Sequence, residues 1–147
     1  MRNTDPTSAP VLQGSERTAA RAAAGDYVTL VEVLELTRPF EEFAAAVRAA
    51  TRRLEAEGVR ELVSVQFYTD PGTAQAGAIL TFSDRERILE HLRLITGWEE
   101  FGRFVATVKP LDVRVYGTLS SGAEAWVRQF GDVLGRKFGE HVAGFVR

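Results

Sequence analysis

The sequence predicts an α+β domain of the ferredoxin-like class, β-α-β-β-α-β with an antiparallel sheet, followed by a C-terminal helix. Three observations predict it. Segments of strand and helix texture alternate in that order between Tyr27 and Ser120. Asp70-Pro71-Gly72 separates the two central strand segments with a hairpin turn, proline fixing its φ and glycine permitting a positive one. The strands carry apolar residues on one face and a mixed set on the other, so helices cover one side and something else must meet the second.

Each element has its own warrant. Residues 1–25 hold Asp5, Pro6, Pro10 and Gly14 before an Ala/Arg stretch, and read as a mobile tail with at most a short helix over 16–24. Residues 26–147 read as a single domain. Residues 27–36 form the first strand, with Val28, Leu30, Leu34 and Leu36 on one side and Glu32 interrupting that set. Residues 38–57 form a helix opened by Pro39, with Phe40, Phe43, Ala44, Val47 and Leu54 at helical spacing and Gly58 as its stop. Strands follow at 62–69 and 75–82. Ser83 and Glu86 fit a capping box. The helix they open carries Ile88, Leu89, Leu92 and Ile95, and Gly97 ends or kinks it. Residues 98–108 read as a continuing helical piece closed by Pro110, and residues 113–119 as the fourth strand. Residues 121–146 read as a last helix, with Gly131, Gly135 and Gly139 repeating every fourth position.

Composition narrows the function. The 147 residues carry a net charge of −2. By segment the balance is +1 for residues 1–25, −4 for 26–120 and +1 for 121–147. No basic stripe is available for phosphate, so nucleic acid is not an expected partner. No apolar run approaches the roughly 20 residues of a membrane span, so no membrane partner is expected either. With no cysteine, disulfides and thiolate chemistry are excluded. The N-terminus lacks the apolar core of a secretory signal, and a cytoplasmic protein is the expectation. Neither a metal-ligand cluster nor a phosphate loop is present in the pattern.

The candidates for chemistry fall in two groups. His91 neighbours Glu90 on an amphipathic helix, and histidine is the side chain best suited to proton transfer near neutrality. Strand parity places Gln66, Tyr68, Arg114 and Tyr116 on the mixed face, with Glu32 as a further member if the register of the first strand allows. Arginine among aromatics can hold an anionic or phenolate-like ligand, and tyrosine can donate to an oxyanion. Trp98 and Phe101 could line an aromatic pocket mouth. Each candidate also has a purely structural account: a packed helix histidine, a wet subunit interface rich in Tyr and Arg, or plain aromatic core. His141, on the last segment, reads as surface or packing.

The Pro39-Phe40-Glu41-Glu42-Phe43 helix start, the Glu90-His91-Leu92 helix and the closing Val113-Arg114-Val115-Tyr116-Gly117 strand resemble the antibiotic-biosynthesis-monooxygenase-like proteins of the dimeric α/β-barrel superfamily. The resemblance covers about Tyr27 to Ser120. It implies a homodimer joined through the sheet face, a pocket between sheet and helices, and oxygen chemistry without metal, flavin or other cofactor. Members of this kind are known for an Asn that positions the substrate. The one Asn here is Asn3, so that role is not carried over. The haem-degrading pattern of Trp and His does not match either, because His91 precedes Trp98. The function expected is a small cofactor-independent monooxygenase-like protein acting on an aromatic or quinol-like molecule, with His91, Tyr68, Tyr116 and Arg114 as catalytic candidates and Glu32, Gln66, Trp98 and Phe101 as ligand-binding ones. The competing expectation is a non-catalytic dimeric barrel that binds a small ligand or serves as a scaffold.

Overall fold

A computed structural model describes residues 23–147. The expected mobile tail falls almost wholly on residues outside that range. After a 3-10 turn at Ala24–Asp26, the chain forms β1 (Val28–Leu36), α1 (Phe40–Glu57), β2 (Leu62–Thr69), β3 (Gln75–Phe82), α2 (Ile88–Thr96), α3 (Glu99–Val105), β4 (Val108–Tyr116), α4 (Ser121–Val127) and β5 (Leu134–Phe138). The strand order is β2-β3-β1-β4-β5. The first four strands pair antiparallel, as the split unit requires, and β5 adds to β4 in parallel. The sheet is therefore mixed, not wholly antiparallel.

Helices cover one face. Phe43 and Val47 of α1 pack on Leu34, Ala76, Ala78 and Val108. Ile88 and Leu92 of α2, with Ala123 and Val127 of α4, pack on Val28, Leu30, Phe82, Val113 and Val115. Each large apolar side chain buried this way stabilises the fold by about 1.5–3 kcal/mol before entropy is charged against it.

Two bulges set which residues reach that face. In β4 the register against β1 shifts between Val33 and Leu34, so Leu111 is extra. Val108 and Pro110 line the helix face before the shift, and Val113 and Val115 do so after it. In β2 the extra residue is Val63, which leaves Leu62 packed inward and Val63 half exposed. A bulge inverts the simple alternation of a strand, so Val63 does not share the inward side with Val65 and Phe67.

Three sequence expectations need correction. Asp84, not Ser83, caps the 3-10 turn before α2, accepting from the Glu86 N–H at 2.9 Å; the Ser83 hydroxyl donates instead to the Glu61 carbonyl. The helical piece expected over 98–108 ends at Val105, and Pro110 lies inside β4, beside the bulge where a missing N–H is tolerated. The long helix expected over 121–146 lasts only to Val127, with a 3-10 turn to Phe130. Gly131 then adopts φ +106° and turns the chain back as β5. The β4 edge explains the override. Its N–H groups at Val113 and Gly117 donate to Val133 and Phe138 carbonyls at 2.8 and 3.0 Å, and satisfying a sheet edge outweighs a helical apolar period. Gly135 passes so close to the Asp112 carboxylate that a Cβ there would overlap it. Gly131 thus serves a turn and Gly135 a close strand approach, and the three glycines form no helix stripe. No helix of the described residues is long and apolar enough to cross a membrane.

Candidate functional site

Glu32 lies at the middle of β1, the central strand, paired with Ala78 on one side and Val113 on the other. It shares the parity of Leu30 and Leu34, so its side chain points under the helices. There the layers do not close completely. A cavity of about 130 Å³ remains between sheet and helices. Its floor is Leu30, Glu32, Leu34, Val65, Phe67, Leu80 and Val113; its roof is Leu92, Ile95, Trp98, Phe101, Phe104 and Val105. Trp126, Phe130 and Val133 complete a wall. Glu32 and His91 are its two ionisable groups.

The apolar lining acts on both. Burial pushes the Glu32 carboxyl up from 4.5 to about 7, because a carboxylate there forfeits its hydration. His91 projects from α2 and is 1 % exposed. Burial lowers its pKa from 6.5 to about 4, so its imidazole is neutral at pH 7. The ring stands edge-on to Phe82 at 5.1 Å between centroids. Its Nδ1 is buried without a hydrogen-bond partner, unlike any other buried side-chain nitrogen or oxygen of the described residues. Buried polar atoms are normally paired, and one that is not calls for an explanation.

The roof is held from outside. Arg53 of α1 places its guanidinium over the Trp98 ring at 4.4 Å and pairs with Glu100 at 2.9 Å. Aromatic contacts run from Phe104 to Phe101, Trp126 and Phe130, with centroid separations of 6.3, 5.9 and 4.9 Å.

Four sequence candidates therefore meet at one cavity: Glu32, His91, Trp98 and Phe101. The other four lie elsewhere. Gln66, Tyr68, Arg114 and Tyr116 alternate with inward residues and occupy the uncovered face. Glu32 does not join them, because it lies on the helix side of β1. Tyr68 and Gln66 also border a groove against α1, beside Arg48 and Arg52. Arg114 pairs with Asp112 at 3.0 Å, and Tyr116 stacks on Phe138 at 5.0 Å. Sequence reasoning missed Trp126 and Phe130 as wall residues; the aromatic density of residues 126–130 was the available signal. His141 approaches Gly25, consistent with a packing role.

No family model matches the chain, and no curated protein matches it. Solved structures do. MupZ from Pseudomonas fluorescens superposes with a TM-score of 0.57 at 17% identity, over 82% of this chain and 94% of that one. A mutant of SnoaB, a cofactor-independent oxygenase from Streptomyces nogalater, superposes with a TM-score of 0.53 at 15% identity, over 65% of this chain and 96% of that one. The ferredoxin-like architecture expected from the sequence is the fold of this chain, and it is shared with these structures.

Proposed function

We propose that the protein is a small cofactor-independent oxygenase that binds a single-ring, quinol-like compound in the cavity and uses Glu32 as its base. The observation that carries this reading is a carboxyl group poised near 7 in a cavity lined, His91 apart, by apolar and aromatic side chains. A general base works best when its pKa lies near the working pH. The similarity to SnoaB, described as a cofactor-independent oxygenase, supports the reaction class.

The chemistry balances on the substrate alone. Glu32 takes a phenolic proton, and the phenolate gives an electron to dioxygen. The radical pair joins at the adjacent ring carbon as a hydroperoxide, and Glu32 returns its proton to the peroxide. Loss of water, with the ring C–H proton, leaves a new carbonyl. For hydroquinone the sum is one molecule of quinol and one of dioxygen giving one hydroxybenzoquinone and one water. One oxygen atom enters the ring, the other leaves as water, and the substrate supplies all four electrons. His91, neutral, offers one donor and one acceptor to orient an oxygen of the ring. Tyr68, Tyr116 and Arg114 have no part in this scheme, because they lie across the sheet from the cavity. We further propose that a second copy of the chain covers the face that carries them.

Oxygen uptake with alkyl hydroquinones tests the reading. The rate should rise with pH through about 7 as Glu32 ionises, and Glu32→Gln should lower it by about 10²-fold or more. The second reading, a non-catalytic ligand binder, is favoured by the lack of a hydroxyl or guanidinium lining the cavity. Tight quinol binding without oxygen uptake at any pH would decide for it.

A further inference from the structure

We propose that Trp126 and Phe130 are specificity-determining residues that limit the ligand of this cavity to one aromatic ring. The inference rests on the reading of the cavity as the ligand site, though not on oxygen chemistry.

Size is the first argument. The cavity measures about 130 Å³, and an apolar cavity of roughly 150 Å³ is known to take benzene. One ring fills such a space. A second or third fused ring must displace wall atoms.

Rigidity is the second. A soft wall would yield to a larger ligand, but this one is fixed at several points. The Trp126 indole Nε1 donates to the Thr96 hydroxyl at 3.2 Å, and that hydroxyl donates to the Leu92 carbonyl at 2.6 Å. Trp126 is thereby tied to α2, the helix that carries His91. Its ring packs against Phe101 on one side and Phe130 on the other. The flanking chain is anchored too. The Ser120 hydroxyl accepts from the Ala123 N–H at 3.1 Å, Lys137 pairs with Glu124 at 3.1 Å, and β5 is hydrogen-bonded along β4. Phe130 lines the same wall while 37 % of its surface stays exposed, so it stands at the mouth. These contacts make the segment a fixed size filter, not a lid.

The test is anaerobic calorimetry with phenol, 1-naphthol and anthrone, so that binding is read without turnover. The parent should bind phenol and reject anthrone. Trp126→Ala and Phe130→Ala should each raise the affinity for anthrone relative to phenol by on the order of tenfold, since the added ring surface can then be buried. Phe130→Ala removes a partly exposed ring, so it decides the matter should Trp126→Ala fail to fold. Equal affinity of the parent for phenol and anthrone would overturn the filter, as would folded variants that keep the parent's ranking. Size-selective binding without oxygen uptake would leave the filter standing and remove the oxygenase reading alone.

Discussion

The two faces of this sheet treat their polar residues in opposite ways. On the uncovered face several have neighbours or water: Asp112 pairs with Arg114, the Thr29 and Thr81 hydroxyls meet at 3.2 Å, the Tyr116 ring lies flat against Phe138, and Tyr68 is exposed. On the helix face, the Nδ1 of His91 is buried without a hydrogen-bond partner, and both it and Glu32 sit in largely apolar surroundings. Matched polar residues tolerate water or a partner surface. Unmatched ones, held where ionisation is costly, are candidates for contact with a ligand. On the proposed reading, the conspicuous polar-aromatic face is a poorer guide to chemistry than the carboxylate in the cavity.

The largest expected effect breaks the helix face into its two groups. Glu32 is raised to about 7, so its contribution to stability is fully present below 4.5 and is lost as pH rises through 7. His91 is lowered to about 4, so its contribution is present above 6.5 and is lost as pH falls through 4. Between 4.5 and 6.5 the folded pair holds one proton, on Glu32, and the unfolded pair also holds one, on His91. The pair therefore adds no slope across that window. Single variants unmask the halves. Relative to the parent, Glu32→Gln should lose about 3 kcal/mol as pH falls from 6.5 to 4. His91→Gln should lose about 3 kcal/mol as pH rises from 4.5 to 7. At pH 8, Glu32→Gln should be more stable than the parent by about 1–2 kcal/mol while losing activity, the trade-off of a functional buried charge. Urea midpoints at a series of pH values measure all of this. Parallel curves for parent and variants would remove the contrast between the faces.

The sequence made much of this contrast legible, and its limits have physical causes. Glu32 is visible as a charge in the apolar set Val28, Leu30, Leu34, and that parity holds because β1 has no extra residue of its own before Leu34. His91 was legible from its place on an amphipathic helix. Which face the Tyr68 and Arg114 group shares with Glu32 was not, because it depends on how strands pair and where bulges at Val63 and Leu111 fall. The wall made by Trp126 and Phe130 was hidden by a true helical period in residues 126–138 that the β4 edge overrides. Non-local hydrogen bonding is the part of a fold that local pattern encodes least.

A smaller effect sharpens the uncovered face. Val31 and Ile79 pair at its centre, and Tyr68 and Tyr116 remain 57 % and 42 % exposed in the single chain. Cover by a second copy predicts a dimer by light scattering at micromolar concentration. Val31→Glu or Ile79→Glu would bury an unpaired charge in that contact and should weaken the dimer by about 10²-fold or more. A monodisperse monomer of the parent protein would leave the face to solvent or another partner.

The smallest effect separates these outcomes within one molecule. Arg114 is half exposed and pairs with Asp112 two residues away on the same strand. An exposed pair of this kind is worth about 0.2–1 kcal/mol, so Arg114→Ala should barely move the unfolding midpoint of a monomer. In a dimer the same substitution strips one charge from a covered pair and leaves Asp112 behind, a far larger cost. The deficit of Arg114→Ala should therefore grow with protein concentration, as the dimer forms, while the deficit of Glu32→Gln at low pH should not depend on concentration. A concentration-independent Arg114→Ala would mean that the two faces differ in chemistry alone and not in what covers them.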